Sequence, residues 1–199
     1  QSDIDAVVET LRSPNLTQGP AVDAFEEAVA RYCGAKYAVA TNSATSALHI
    51  AVLAAGLGPG DEHWTVPNTF VASANCGLYC GSQVDFVDID PLTYNLSIDA
   101  FEEKLRARSK MGRLPKVLIP VHFAGQSVAM ERVHALAREY GVKVIEDASH
   151  AIGGSYKGRL IGSCQYSDMT VFSFHPVKII TSGEGGMVVT NDSFLYDKL

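Results

Sequence analysis

Segments of helical period and short apolar strand-like runs alternate along the whole chain, and this alternation constrains the fold more than any single residue. Helical patterns cover Ile4–Leu11 (with Ser2 or Asp3 near its cap), Val22–Tyr32, Ala47–Ala55, Phe70–Cys80, Ile98–Arg108 and Met130–Tyr140. Between and after them, strands are predicted at Tyr37–Ala40, Val84–Val87, Val117–Val121, Val142–Ile145, Met169–Phe174 and Met187–Thr190, with another short strand ending at Pro67. Strands separated by helices of this length form a mainly parallel sheet with helices on both faces, an α/β fold. In such sheets ligands bind beyond the carboxyl ends of the strands. No Gly-x-Gly-x-x-Gly follows the first strand, which argues against a dinucleotide-binding domain.

Composition narrows the partners. A chain of 199 residues, 47% hydrophobic, is long enough to bury a sizeable core. The net charge of −6 argues against nucleic acid and anionic membranes as partners, without excluding a phosphorylated small ligand. No apolar run reaches the length of a bilayer span and no basic-then-apolar leader opens the sequence, and four cysteines that read as small core residues fit a reducing cytoplasm. Cys33, Cys76, Cys80 and Cys164 have no matching Cys or His pairs; they read as small core residues, and no metal site is expected.

Four candidate segments fall at strand ends: Asn42–Ser46, Asp147–His150, Pro67–Phe70, and Ser173 with Lys178. Lys178 follows the apolar, aromatic strand Phe172-Ser173-Phe174 and precedes Gly183-Glu184-Gly185-Gly186. A free lysine is almost fully protonated at pH 7 and is no nucleophile, but a lysine bound as an imine to an aldehyde escapes that limit, so Lys178 is a candidate Schiff-base lysine for pyridoxal phosphate. Ser173 could bond a phosphate oxygen. The junction Asn42-Ser43-Ala44-Thr45-Ser46 opens a helix with small residues whose free N–H groups suit an anion, although Ser43 or Thr45 could simply cap the helix. Asp147, after the strand Val144-Ile145, would suit a basic ring nitrogen, or cap a helix; His150 is a ring neighbour or a structural histidine. Phe70 could stack on a flat ring or pack in the core, whereas Trp64 reads as packing. An anion, a flat basic ring and an aldehyde together describe pyridoxal phosphate.

Glu146-Asp147 to His150, Phe172-Ser173-Phe174 to Lys178, and Gly183 to Gly186 resemble the DegT-type nucleotide-sugar aminotransferases, pyridoxal-phosphate enzymes of fold type I. Leu16 to Pro20, Asn42 to His49, Gly58 to Glu62 and Pro120 to Gly125 match the same pattern, so the likeness extends along the chain. Trp64 to Phe70 and Phe174 to Lys178 are most similar to the branch making UDP-4-amino-4,6-dideoxy-N-acetyl-altrosamine toward pseudaminic acid. The branch that aminates a 4-keto-arabinose for lipid A stays open.

The resemblance implies that Lys178 is the cofactor lysine and Asp147 the partner of the pyridine nitrogen. It places His150 at the ring's phenolic oxygen and Phe70 on the ring face. Thr45 and Ser46 then hold the phosphate through backbone N–H groups, and Ser173 through its hydroxyl. A lysine at 178 rather than histidine implies transamination rather than the family's dehydratase chemistry. The implied reaction moves an amino group from glutamate to C4 of a UDP-linked 4-keto-6-deoxy sugar in cell-surface polysaccharide biosynthesis, by a homodimer. Family members are longer. Residues 1–199 are therefore expected to be the cofactor-binding large domain without the small C-terminal domain, and a noncatalytic cofactor-binding fragment is the alternative.

Overall fold

A computed structural model describes residues 1–199. Seven α-helices are α1 (Ser2–Arg12), α2 (Pro20–Cys33), α3 (Ala44–Ala54), α4 (Ala72–Tyr79), α5 (Ile98–Lys110), α6 (Met130–Tyr140) and α7 (Ser193–Tyr196). The main sheet contains β1 (Tyr37–Thr41), β2 (Glu62–Thr65), β3 (Gln83–Phe86), β4 (Val117–Leu118), β5 (Lys143–Asp147), β8 (Met169–Ser173) and β9 (Gly186–Thr190). β6 (Ser155–Tyr156) and β7 (Arg159–Leu160) form a separate small hairpin.

Strand order is β1-β9-β8-β5-β4-β2-β3. The pairs from β3 through β8 are parallel, whereas β9 runs antiparallel to both β8 and β1. Because β9 is reversed against both neighbours, β1 points the same way as β8. The carboxyl ends of β1, β2, β4, β5 and β8 therefore open on one edge of the sheet, and β9 begins there.

Alternation along the strands divides the core between two faces. Val117, Ile145, Met169, Val171 and Val188 pack under α3 and α4 with Leu48, Val52 and Cys76. On the other face, Phe172, Met187 and Val189 meet α2, and Trp64, Leu118 and Val144 meet α5 and α6. β8 and β9 are buried along their whole length, as strands covered on both sides must be. Trp64 is fully buried, as its packing role requires. The four cysteines are free thiols; Cys33, Cys76 and Cys164 are buried and Cys80 half-buried. No helix is long and apolar enough to cross a membrane.

Local differences from the sequence reading have simple causes. α1 starts at Ser2, and neither Ser2 nor Asp3 caps it; the N-cap position belongs to Gln1. α3 starts three residues earlier than its apolar period suggests, because Ser43 takes the cap and the helix opens on Ala44 and Thr45. The hairpin β6–β7 is too short to leave a periodic signal.

Candidate active site

A cavity of about 490 Å³ opens at the carboxyl edge of the sheet, within the usual range for small-molecule sites. Its wall includes Thr45, Phe70, Asp147, His150, Ser173 and Lys178.

One end of the cavity is formed by the start of α3. Ser43 caps the helix by accepting from the Ser46 N–H at 3.2 Å, and the Ser46 hydroxyl donates to Asn42 Oδ1 at 2.6 Å. The N–H groups of Ala44 and Thr45 stand in the first turn, where no helical carbonyl can reach them. Both residues are on the wall, and Ser46 is not. The open donors are thus those of residues 44 and 45, while both polar groups of Ser46 are engaged beside them. Ser173, ending β8, presents its hydroxyl to the same space and accepts only a long bond from the His175 N–H, 3.5 Å.

Asp147 ends β5 and is 4% exposed. It caps no α-helix. Instead Oδ1 accepts from the Ser149 N–H (3.1 Å) and hydroxyl (2.7 Å), closing a turn, and Oδ2 accepts from Ser73 on α4 at 2.6 Å. Next along the strand, Glu146 points to the opposite face and accepts from His122, Ser167 and Thr170. Burial alone would raise the Glu146 pKa; the three donors, His122 foremost, outweigh burial and hold it below the usual carboxylate value. His122 Nδ1 in turn accepts from the Val128 N–H at 3.1 Å, fixing the loop that carries Phe123 onto the wall.

The Lys178 amine donates to His150 Nε2 at 2.6 Å. Burial and the adjacent Lys178 charge hold the His150 pKa below its ordinary value, against the opposing pull of Asp147. A neutral imidazole is what the geometry needs, since Nε2 must accept from the ammonium. Phe70 is 74% exposed, so it is not a core residue; its ring stands free beside the cavity.

The donor set fits pyridoxal phosphate: an amine for an aldehyde, a buried carboxylate for a basic ring, open N–H groups with a hydroxyl for a phosphate, and an unburied aromatic face. Ser149, His122 and Phe123 also line the cavity, and Ser73 lies buried behind Asp147; the sequence assigns none of the four a role, although His122 and Phe123 fall within the Pro120–Gly125 match. Ser73 sits in an apolar helix and His122 in a loop, where neither has a local signature.

Sheet order and cavity together define an α/β domain of the fold type I pyridoxal-phosphate transferases. The chain belongs to the DegT/DnrJ/EryC1/StrS aminotransferase family, which it matches over residues 1–199. It is 44% identical over 199 residues to the spore coat polysaccharide biosynthesis protein SpsC of Bacillus subtilis, covering 100% of this chain and 49% of that protein. It is 46% identical over 200 residues to a UDP-4-amino-4,6-dideoxy-N-acetyl-beta-L-altrosamine transaminase of Campylobacter jejuni, covering 100% and 51%. PseC of Helicobacter pylori, an aminotransferase of pseudaminic acid biosynthesis, superposes with a TM-score of 0.89 at 38% identity, over 100% of this chain and 52% of that one. The family is pyridoxal-phosphate dependent, and solved relatives include forms holding the cofactor as PLP or PMP. The chain spans about half the length of the curated relatives it matches.

Proposed function

We propose that residues 1–199 form the cofactor-binding large domain of a pyridoxal-phosphate nucleotide-sugar aminotransferase. The observation that carries this reading is the convergence of Lys178, His150, Asp147, Ser173 and the open end of α3 on one cavity. When bound, the cofactor supplies an electrophilic carbon for amines and a ring that accepts electrons.

The protein's own groups then have distinct tasks. Lys178 would hold the cofactor's aldehyde carbon and would carry protons at its Nζ. His150 accepts from that amine, and the resemblance sets it beside the ring's phenolic oxygen. Asp147, buried and held by three donors that leave one acceptor position on Oδ2, would keep a ring nitrogen protonated. Phe70 covers one ring face. The N–H groups of Ala44 and Thr45, with Ser46 behind them in the same turn, and the Ser173 hydroxyl hold the phosphate.

The substrate reading is a UDP-linked 4-keto-6-deoxy sugar aminated at C4, with glutamate as donor. It rests on the named activity of the Campylobacter jejuni relative and on the resemblance of Trp64 to Phe70 and Phe174 to Lys178. A cytoplasmic homodimer, with further chain beyond this domain, completes the proposal.

The test is the visible absorption of the purified protein with pyridoxal phosphate, beside Lys178→Ala. A yellow band in the parent and none in the variant supports the assignment. The same band in both proteins, or no band in either, overturns it. With the band established, incubation with glutamate and UDP-linked 4-keto sugars decides the substrate class.

A further inference from the structure

The Asp147 carboxylate is the end point of a directed hydrogen-bond chain. Ser73 has one hydroxyl proton, and it goes to Asp147 Oδ2 at 2.6 Å. The contact between Ser73 Oγ and Thr69 Oγ1, 2.8 Å, must then have Thr69 as donor. The chain therefore runs Thr69 to Ser73 to Asp147, and each bond polarises the next. Thr69 immediately precedes Phe70, so the same chain ties the turn carrying the exposed aromatic ring to the carboxylate.

The two oxygens are unequally loaded. Oδ1 accepts twice, from the Ser149 N–H and hydroxyl, whereas Oδ2 accepts once, from Ser73. A carboxylate offers about four acceptor positions, so the open position lies on Oδ2, on a residue of the cavity wall. Ser73 is wholly buried and Ser149 half-buried, so solvent does not compete for the Ser73 bond.

We infer that Ser73, with Ser149, is a positioning residue: it locks the Asp147 carboxylate so that one acceptor position on Oδ2 faces the cofactor's ring nitrogen. The inference rests on the cofactor assignment above. Ser73 touches neither cofactor nor substrate; it acts through Asp147. Losing it frees the carboxylate to rotate, so that Oδ2 is no longer aimed at the ring N–H.

The experiment measures dissociation constants of the cofactor-free protein for pyridoxal phosphate and for its 1-deaza analogue, whose ring has carbon where the nitrogen stands. The parent is expected to prefer pyridoxal phosphate. Ser73→Ala should weaken pyridoxal phosphate about tenfold, the effect of losing a bond to a charged group, and leave the deaza analogue nearly unaffected. Ser149→Ala, which retains the residue 149 N–H, should show a smaller selective loss, and Ser149→Thr should restore the parent's affinity. If Ser73→Ala fails to fold, the two position-149 variants decide the question.

Equal weakening of both ligands would mean a merely structural role and would overturn the inference. So would unchanged affinity for pyridoxal phosphate, or a parent that binds both ligands equally. A parent that binds neither ligand refutes the cofactor assignment itself, a result distinct from the others.

Discussion

An alanine at position 186 would put a methyl group where the opening of α3 already is. Gly186 starts β9, paired with Thr41 of β1 on one side and Ser173 of β8 on the other. A Cβ there lies 2.4 Å from the carbonyl carbon and oxygen of Ser43 and 2.6 Å from the Ala44 nitrogen. All three atoms are backbone, so no side chain can swing aside. Ordinary contact begins near 3.4 Å, and the cap must retreat by about 1 Å. Overpacking of this kind costs about 1–3 kcal/mol, and a disturbed N-cap about 1 kcal/mol more. For a chain of this length that lowers the melting temperature by about 5–15 °C. The retreat also moves the N–H groups of Ala44 and Thr45 away from the anion position. Losing one good bond to a charged group is worth about 1.5–3 kcal/mol, so affinity for pyridoxal phosphate should fall about 10- to 100-fold. Titration of the yellow band and a thermal melt measure both effects. Gly183→Ala is the control: its φ of +84° makes alanine strained by about 1–2 kcal/mol, but its Cβ meets nothing within 4 Å. It should lower the melting temperature and leave affinity unchanged. Parent-like affinity in Gly186→Ala, or equal loss of affinity in both variants, would refute the steric argument.

Two further predictions follow from charge and burial. The His150 imidazole should titrate below 6.5 by NMR in the cofactor-free protein, and upward of that position in Lys178→Met, because burial and the Lys178 charge both depress it. Since its folded pKa lies below the unfolded one, its contribution to stability is complete above pH 6.5 and is lost as pH falls through the folded value. An unchanged midpoint in the variant would remove Lys178 as a cause. Thiol labelling of the native protein at pH 8 should modify Cys80 alone at an appreciable rate. Burial pushes Cys33 up to about 11, and Cys76 and Cys164 to about 12, and it also keeps reagent away from them. Rapid labelling of a second cysteine would contradict that burial.

The parts of the cavity wall that are legible in the sequence lie at the ends of periodic segments. Lys178, Ser173, Asp147 and the Asn42–Ser46 junction are polar groups interrupting apolar runs, and an interruption is a local signal. Phe70 illustrates the limit of that signal: the sequence allows it to be core or cavity wall, and only the sheet's placement leaves it exposed. Strand pairing is equally nonlocal. Nothing near Met187–Thr190 says that it runs back, antiparallel, between β1 and β8. Yet that reversal brings Gly186 against Ser43 and lets β1 deliver α3 to the site.

Ser73 lies furthest from what a sequence can disclose. It stands 74 positions from its carboxylate partner, within a helix of small residues where serine looks like an indifferent choice. That hydrogen bond exists only because β5 and the turn entering α4 are brought to the same edge of the sheet. The same holds for Glu146 and Asp147, adjacent acids that alternation sends to opposite faces. One is paired with His122 and two hydroxyls and takes no place on the cavity wall; the other keeps an acceptor position open on it. Two neighbouring carboxylates thus acquire different surroundings from strand geometry alone, one inside a hydrogen-bonded cluster and one on the cavity wall, without any difference in the residues that immediately flank them deciding the matter.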